Sequence, residues 1–126
     1  MFSLCNAQVW ETDLDNALSK ARVQDKNIIL VFTVNNCREC ESLVSNVLST
    51  NEFKAFAEDN YILAKIEFSA KNGYDVEQNS NLLLIVEKYN KDGFFPHVVE
   101  VDKFGKIIKK QPVYDGETAK EYISRF

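Results

Sequence analysis

Apolar residues recur along this chain in two alternating rhythms, short continuous runs and helical i, i+3, i+4, i+7 sets, and the alternation predicts an α/β domain. Leu14, Ala17, Leu18 and Ala21 form one helical set behind Asp13, a good N-cap residue. Asp25-Lys26-Asn27 breaks it and leads into Ile28–Val34, an apolar run that reads as a buried strand. Leu43, Val44, Val47 and Leu48 then recur at helical spacing, with the helix expected to end near Ser49. Thr50 or Asn51 can cap a short helix with Phe53, Phe56 and Ala57 inward. Tyr61–Phe68 is a second main strand, Lys71 to Asn81 a polar loop containing Gly73, and Leu82–Tyr89 a helix closed by Asn90-Lys91-Asp92-Gly93. Val98–Val101 and Ile107–Lys110 read as a hairpin turning at Asp102–Lys106, where Gly105 supplies the left-handed residue. Asp115-Gly116 is expected to open a last helix with Ala119, Tyr122, Ile123 and Phe126 on one face. Alternation ending in a hairpin implies a mixed central sheet with helices on both faces.

The chemistry concentrates where the first strand meets its helix, at Cys37-Arg38-Glu39-Cys40. A helix N-terminus carries unpaired N–H groups and a partial positive charge, both of which favour a thiolate. A spacing of three lets the second thiol curl back on the first within one turn, as a reversible disulfide requires. The implied reaction is thiol–disulfide exchange, with Cys37 attacking and Cys40 resolving. Arg38 would stabilise the Cys37 thiolate, whereas Glu39 and Glu41 would oppose it.

With 126 residues the chain fits one domain with one core. A net charge of −4 and a pI near 5.0 argue against nucleic acid as the main partner. No stretch is long and apolar enough to span a membrane. Three cysteines are too few for a disulfide-stapled scaffold. Residues 1–8 stand apart from the domain at 9–126, as the remnant of a secretory signal or a frayed terminus.

Three separated signatures make the chain resemble the thioredoxin superfamily, from about Trp10 to Phe126. They are the strand–CxxC–helix unit at Ile28–Leu48, Pro96 between Gly93-Phe94-Phe95 and Val98–Asp102, and the Phe104-Gly105-Lys106 hairpin before an amphipathic helix. The first helix and Lys26-Asn27-Ile28 most resemble exported disulfide reductases and isomerases. The resemblance implies a three-layer thioredoxin-like fold and catalytic Cys37 and Cys40. It also implies a cis bond before Pro96, with Phe95 and Pro96 placing an extended substrate. Phe94 and Phe95 are expected to wall the groove, one of them serving the core.

Three positions, Asn36, Val31 and His97, depart from the family pattern. Asn36 replaces the usual Trp before the first cysteine, and Val31 the buried acid that assists the resolving cysteine. Lys65 keeps the lysine that partners that acid, and His97 replaces the Thr after the proline. A specialised protein partner is therefore expected rather than general reductant duty. Trp10 is expected to pack at the first helix, away from the groove. Lys103, Lys106, Lys109 and Lys110 read as a solvated edge that resists aggregation.

Two rival readings differ in class. A zinc site needs about four ligands, and beyond the pair the chain offers only Cys5 and His97. A thioredoxin-fold binding or chaperone module with a structural disulfide is the other. The favoured reading is an oxidoreductase exchanging disulfides with protein substrates and an unidentified redox donor or acceptor protein. It is expected to need no cofactor or metal, to be a monomer without stable membrane insertion, and to be periplasmic or secreted, with the cytoplasm as the alternative.

Overall fold

The β-strand Asn27–Val34 (β2) is the spine of the molecule, its six inner residues all buried. The computed structural model describes residues 9–68 and 80–126. Before β2 come the two-residue strand Trp10–Glu11 (β1) and the helix Leu14–Gln24 (α1). After it, helix Arg38–Leu43 (α2) runs on as a π-helical turn over Val44–Leu48, followed by Asn51–Glu58 (α3) and strand Tyr61–Phe68 (β3). Helix Ser80–Tyr89 (α4), strands His97–Val101 (β4) and Ile107–Lys110 (β5), and helix Ala119–Ile123 (α5) complete the order.

The strands form one sheet in the order β1-β3-β2-β4-β5. β1 and β2 run parallel to β3, while β4 is antiparallel to both β2 and β5. Alternation along β2 divides the apolar residues between two cores. Ile28, Leu30 and Phe32 face α1 and Tyr89 of α4; Ile29 and Val31 face Leu43, Val47, Phe53 and Tyr122. A strand buried on both faces needs apolar side chains at nearly every position, hence the unbroken run in the sequence. The mixed sheet with helices on both faces agrees with the sequence expectation.

Local chemistry sets the boundaries. Asp13 caps α1 by accepting the Asp15 N–H, and Asp25 ends it in the left-handed region at φ 56°. The Thr50 hydroxyl accepts the Phe53 N–H at 3.2 Å and so starts α3. Gly105 has φ +85°, and a Cβ there would sit 3.0 Å from the Tyr89 hydroxyl. That hydroxyl donates to the Gly105 carbonyl at 2.7 Å, tying the hairpin to the end of α4.

Several expectations need correction. The cysteine helix is not α-helical to its end: the Ser49 N–H reaches the Val44 carbonyl at 2.8 Å, five residues back. The last helix is opened by Thr118 rather than Asp115-Gly116, through a capping box in which Thr118 and Glu121 bond each other's backbone N–H. Trp10 lies in β1, paired with Leu63, and packs in the core on the cysteine side of the sheet. Ser80 and Asn81 are helical, and the rest of the expected loop from Lys71, like residues 1–8 with Cys5, lies outside the described residues. On the hairpin, Lys103 pairs with Asp25 at 2.7 Å and Lys109 donates to the Arg125 carbonyl at 2.8 Å.

Candidate active site

The chain leaves the sheet at the C-terminal end of the central strand β2, and Asn36 turns it there with φ 58°. Asparagine tolerates this left-handed conformation better than most residues, and a bulky aromatic would be strained. Cys37 follows in extended conformation as the N-cap of α2, and the Cys40 N–H donates to its sulfur at 3.1 Å. Cys37 and Cys40 are joined as a disulfide, their Cα atoms 5.2 Å apart.

The two sulfurs are not equivalent. Cys37 is half-buried, whereas Cys40 is only 3% exposed and sits on the inner side of α2. An incoming sulfur therefore has access to Cys37 first.

Beside the pair, though distant in sequence, is the Phe95–Pro96 peptide bond, which is cis, as the resemblance implied. The Phe95 carbonyl oxygen lies 4.0 Å from the Cys37 sulfur. The approach to the proline is held by Asn90, a buried side chain whose Nδ2 donates to the Phe94 carbonyl at 2.8 Å. Its Oδ1 accepts the Phe94 N–H at 3.2 Å. Sequence reading did not single out Asn90; its one visible signal was an asparagine opening a turn, where side-chain amides commonly bond the backbone.

The two phenylalanines divide their work. The Phe95 ring turns inward and meets Phe68 edge-on at 5.6 Å, while Phe94 is 54% exposed. Only Phe94 thus offers a largely free apolar ring. His97 is half-buried against Phe32, with ring centroids 6.2 Å apart. Burial holds its imidazole below the usual range and Lys110 pushes the same way, against the Tyr89 backbone and Asp92.

Behind the disulfide, a cleft of about 380 Å³ is lined by both cysteines, Glu41, Lys65, Glu67 and Thr33. Lys65 stands beside Val31 and Glu67 beside Thr33 in the parallel register of β2 and β3. Val31 is fully buried, so the sheet carries no acid at that point. The Lys65 ammonium lies 5.9 Å from the centre of the Trp10 ring. Among the described residues, no three His, Cys, Asp or Glu side chains converge as a metal site.

Comparison with known proteins bears directly on this geometry. A family model described as thioredoxin-like matches residues 9–103. The chain is 29% identical over 117 residues to the disulfide bond reductase DsbH of Chlamydia pneumoniae, covering 92% of this chain and 69% of that one. A solved DsbH oxidoreductase superposes with a TM-score of 0.79 at 26% identity, over 99% of this chain and 87% of the other. A disulphide isomerase from Xylella fastidiosa Temecula1 has the same fold, with a TM-score of 0.68 at 20% identity over 89% and 86% of the two chains. The chain belongs to the thioredoxin-like family.

Proposed function

We propose that this thiol–disulfide oxidoreductase works as a reductase of protein disulfides, with Cys37 as nucleophile and Cys40 as resolving thiol. The observation that carries the reading is the unequal exposure of a bonded CxxC pair opposite a cis X–Pro bond. In the reduced protein, the Cys37 thiolate attacks one sulfur of a substrate disulfide. A mixed disulfide forms and the first substrate sulfur leaves as a thiolate. Cys40 then attacks Cys37, the second substrate sulfur departs, and the Cys37–Cys40 bond closes. Two electrons pass to the substrate.

The Phe95 backbone beside Cys37 suits an extended peptide, which would carry its cysteine to the nucleophile. Pro96 fixes that backbone and Phe94 adds apolar contact for an unfolded partner. Reduction as the direction is supported by the likeness to the Chlamydia pneumoniae disulfide bond reductase. Each turnover leaves the pair oxidised, so a separate redox protein must re-reduce it. A periplasmic or secreted monomer fits the resemblance to exported reductases. Among the described residues, no helix is long and apolar enough to cross a membrane.

Equilibration in graded thiol buffers, read by mass, tests the direction. A potential near about −270 mV is expected of a reductase. A value of about −120 to −180 mV would make it an oxidase or isomerase instead. Failure of the Cys37–Cys40 bond to form at all would leave a binding module.

A further inference from the structure

Residues 103–110 hold four of the chain's fifteen lysines and arginines and no carboxylate, in a protein whose net charge is −4. They form the tip of the β4–β5 hairpin and the whole of β5, the strand at the edge of the sheet. Lysines on an edge strand keep other strands away. That role does not account for the apolar residues set among them. Phe104 is 73% exposed at the tip and Ile108 is 49% exposed on β5.

The tip is built to hold its shape. One carboxylate oxygen of Asp102 accepts the Phe104 N–H at 2.8 Å and the Lys106 N–H at 2.9 Å. Lys103 pairs with Asp25 at 2.7 Å, and its ammonium lies 5.5 Å from the centre of the Phe104 ring. These bonds engage the two carboxylates at the tip. Lys106, Lys109 and Lys110 remain exposed. The last turns of α1 and α4 add Arg22 and Lys88, and the Lys88 ammonium reaches 3.9 Å from the place of a Cβ on Gly105. An aromatic ring therefore stands in water on a fixed turn, surrounded by cations.

The shape selects the occupant. Phe104 lies in the turn, past the last sheet pair of Val101 with Ile107, so a strand added to β5 would leave it uncovered. A convex tip of this kind suits a deformable anionic layer: the ring enters the headgroup region while the ammonium groups meet lipid phosphates. We propose that the β4–β5 hairpin docks the protein on an anionic phospholipid surface, without spanning it, and that Phe104 is the apolar anchor. Cys37 follows the opposite end of β2, and eight residues of strand put roughly 25 Å between that end and the hairpin. The docked protein thus presents its disulfide away from the lipid.

Co-sedimentation of the full chain with vesicles tests the docking, using phosphatidylcholine alone or mixed with phosphatidylglycerol. The parent should sediment with the mixed vesicles at low salt, and stay in solution with phosphatidylcholine alone or at high salt. Lys106→Gln and Lys110→Gln should each lower the partition about five-fold. Phe104→Ser should lower it about ten-fold; if circular dichroism shows that this variant is disturbed, the lysine variants carry the test. Lys91→Gln, in the turn before Phe94 at the cysteine end, should bind as the parent does. A parent that stays in solution with the mixed vesicles overturns the proposal and leaves the hairpin to an acidic protein partner. Equal binding to phosphatidylcholine alone overturns it too, as does a loss with Lys91→Gln equal to that with Lys106→Gln, since net charge rather than the hairpin would then be responsible. Vesicle binding needs no turnover, so its outcome is independent of the exchange reaction.

Discussion

Asn90 grips the backbone of Phe94 at both ends, donating to its carbonyl at 2.8 Å and accepting its N–H at 3.2 Å. One buried amide thus shapes the segment that leads into Pro96 and presents Phe95 to Cys37. Asn90→Ala removes two hydrogen bonds and leaves their backbone partners to find water. The expected cost is about 1–3 kcal/mol, measured by denaturant unfolding. With a peptide disulfide, KM should rise more than kcat falls, since the loop places substrate and carries no reacting group. Unchanged stability and unchanged KM would contradict this assignment.

Phe94 and Phe95 should separate binding from folding. Phe95→Ala removes a half-buried ring packed on Phe68. Its expected cost is about 2 kcal/mol, below the roughly 3–5 kcal/mol of a fully buried phenylalanine. Phe94→Ala should cost little stability and instead weaken binding of an apolar unfolded substrate. Thermal melts alongside KM for a reduced-and-reoxidised protein substrate compare the two; equal stability losses would refute the division.

His97 gives a pH dependence of known sign. Its folded-state pKa lies below the usual value because burial, then Lys110, disfavours the imidazolium. As pH falls through about 6.5, the unfolded chain takes up this proton before the folded one does. Stability from this residue is therefore complete above that pH and is lost as pH drops toward the folded-state pKa. Melting temperatures between about pH 7.5 and about pH 5 should decline, and His97→Phe should flatten the decline. A His97→Phe curve parallel to the parent's would exclude His97 as the source.

The capping box of α5 offers a control remote from the cysteines. The Thr118 hydroxyl accepts the Glu121 N–H at 3.2 Å and starts a helix that buries Ala119 and Tyr122. Thr118→Ala should cost about 1 kcal/mol in denaturant unfolding. Exchange activity at a temperature where the variant is folded should match the parent, and a specific loss of activity would argue against a purely structural cap.

Sequence patterning exposes what local rules control. β3 at Tyr61–Phe68 has the expected bounds, and α1 starts at its expected Asp13 cap, because periodicity and a cap each declare themselves within a few residues. The CxxC pair and its place at a strand–helix junction are equally local. Hidden from that view are relationships made only by packing. β1 is two residues long, too short to show a period, and exists because Trp10 and Glu11 find partners on β3. The widened turn at Val44–Leu48 hides in an apolar pattern that an α-helix would also satisfy. Which of two adjacent phenylalanines turns inward is decided by Phe68, and the grip of Asn90 by the return of the chain four residues later. Lys65 is visible as a strand lysine, but its place over Trp10 and in the cysteine cleft needs the parallel register.

The most direct test of the account is a single exchange between fully reduced protein and a peptide disulfide, followed by mass. The parent should convert to the Cys37–Cys40 disulfide as two peptide thiols appear, and Cys40→Ser should stop at a peptide adduct mapped to Cys37. Peptide left intact by the parent, or an adduct on any residue other than Cys37, would contradict the assignment of Cys37 as the nucleophile.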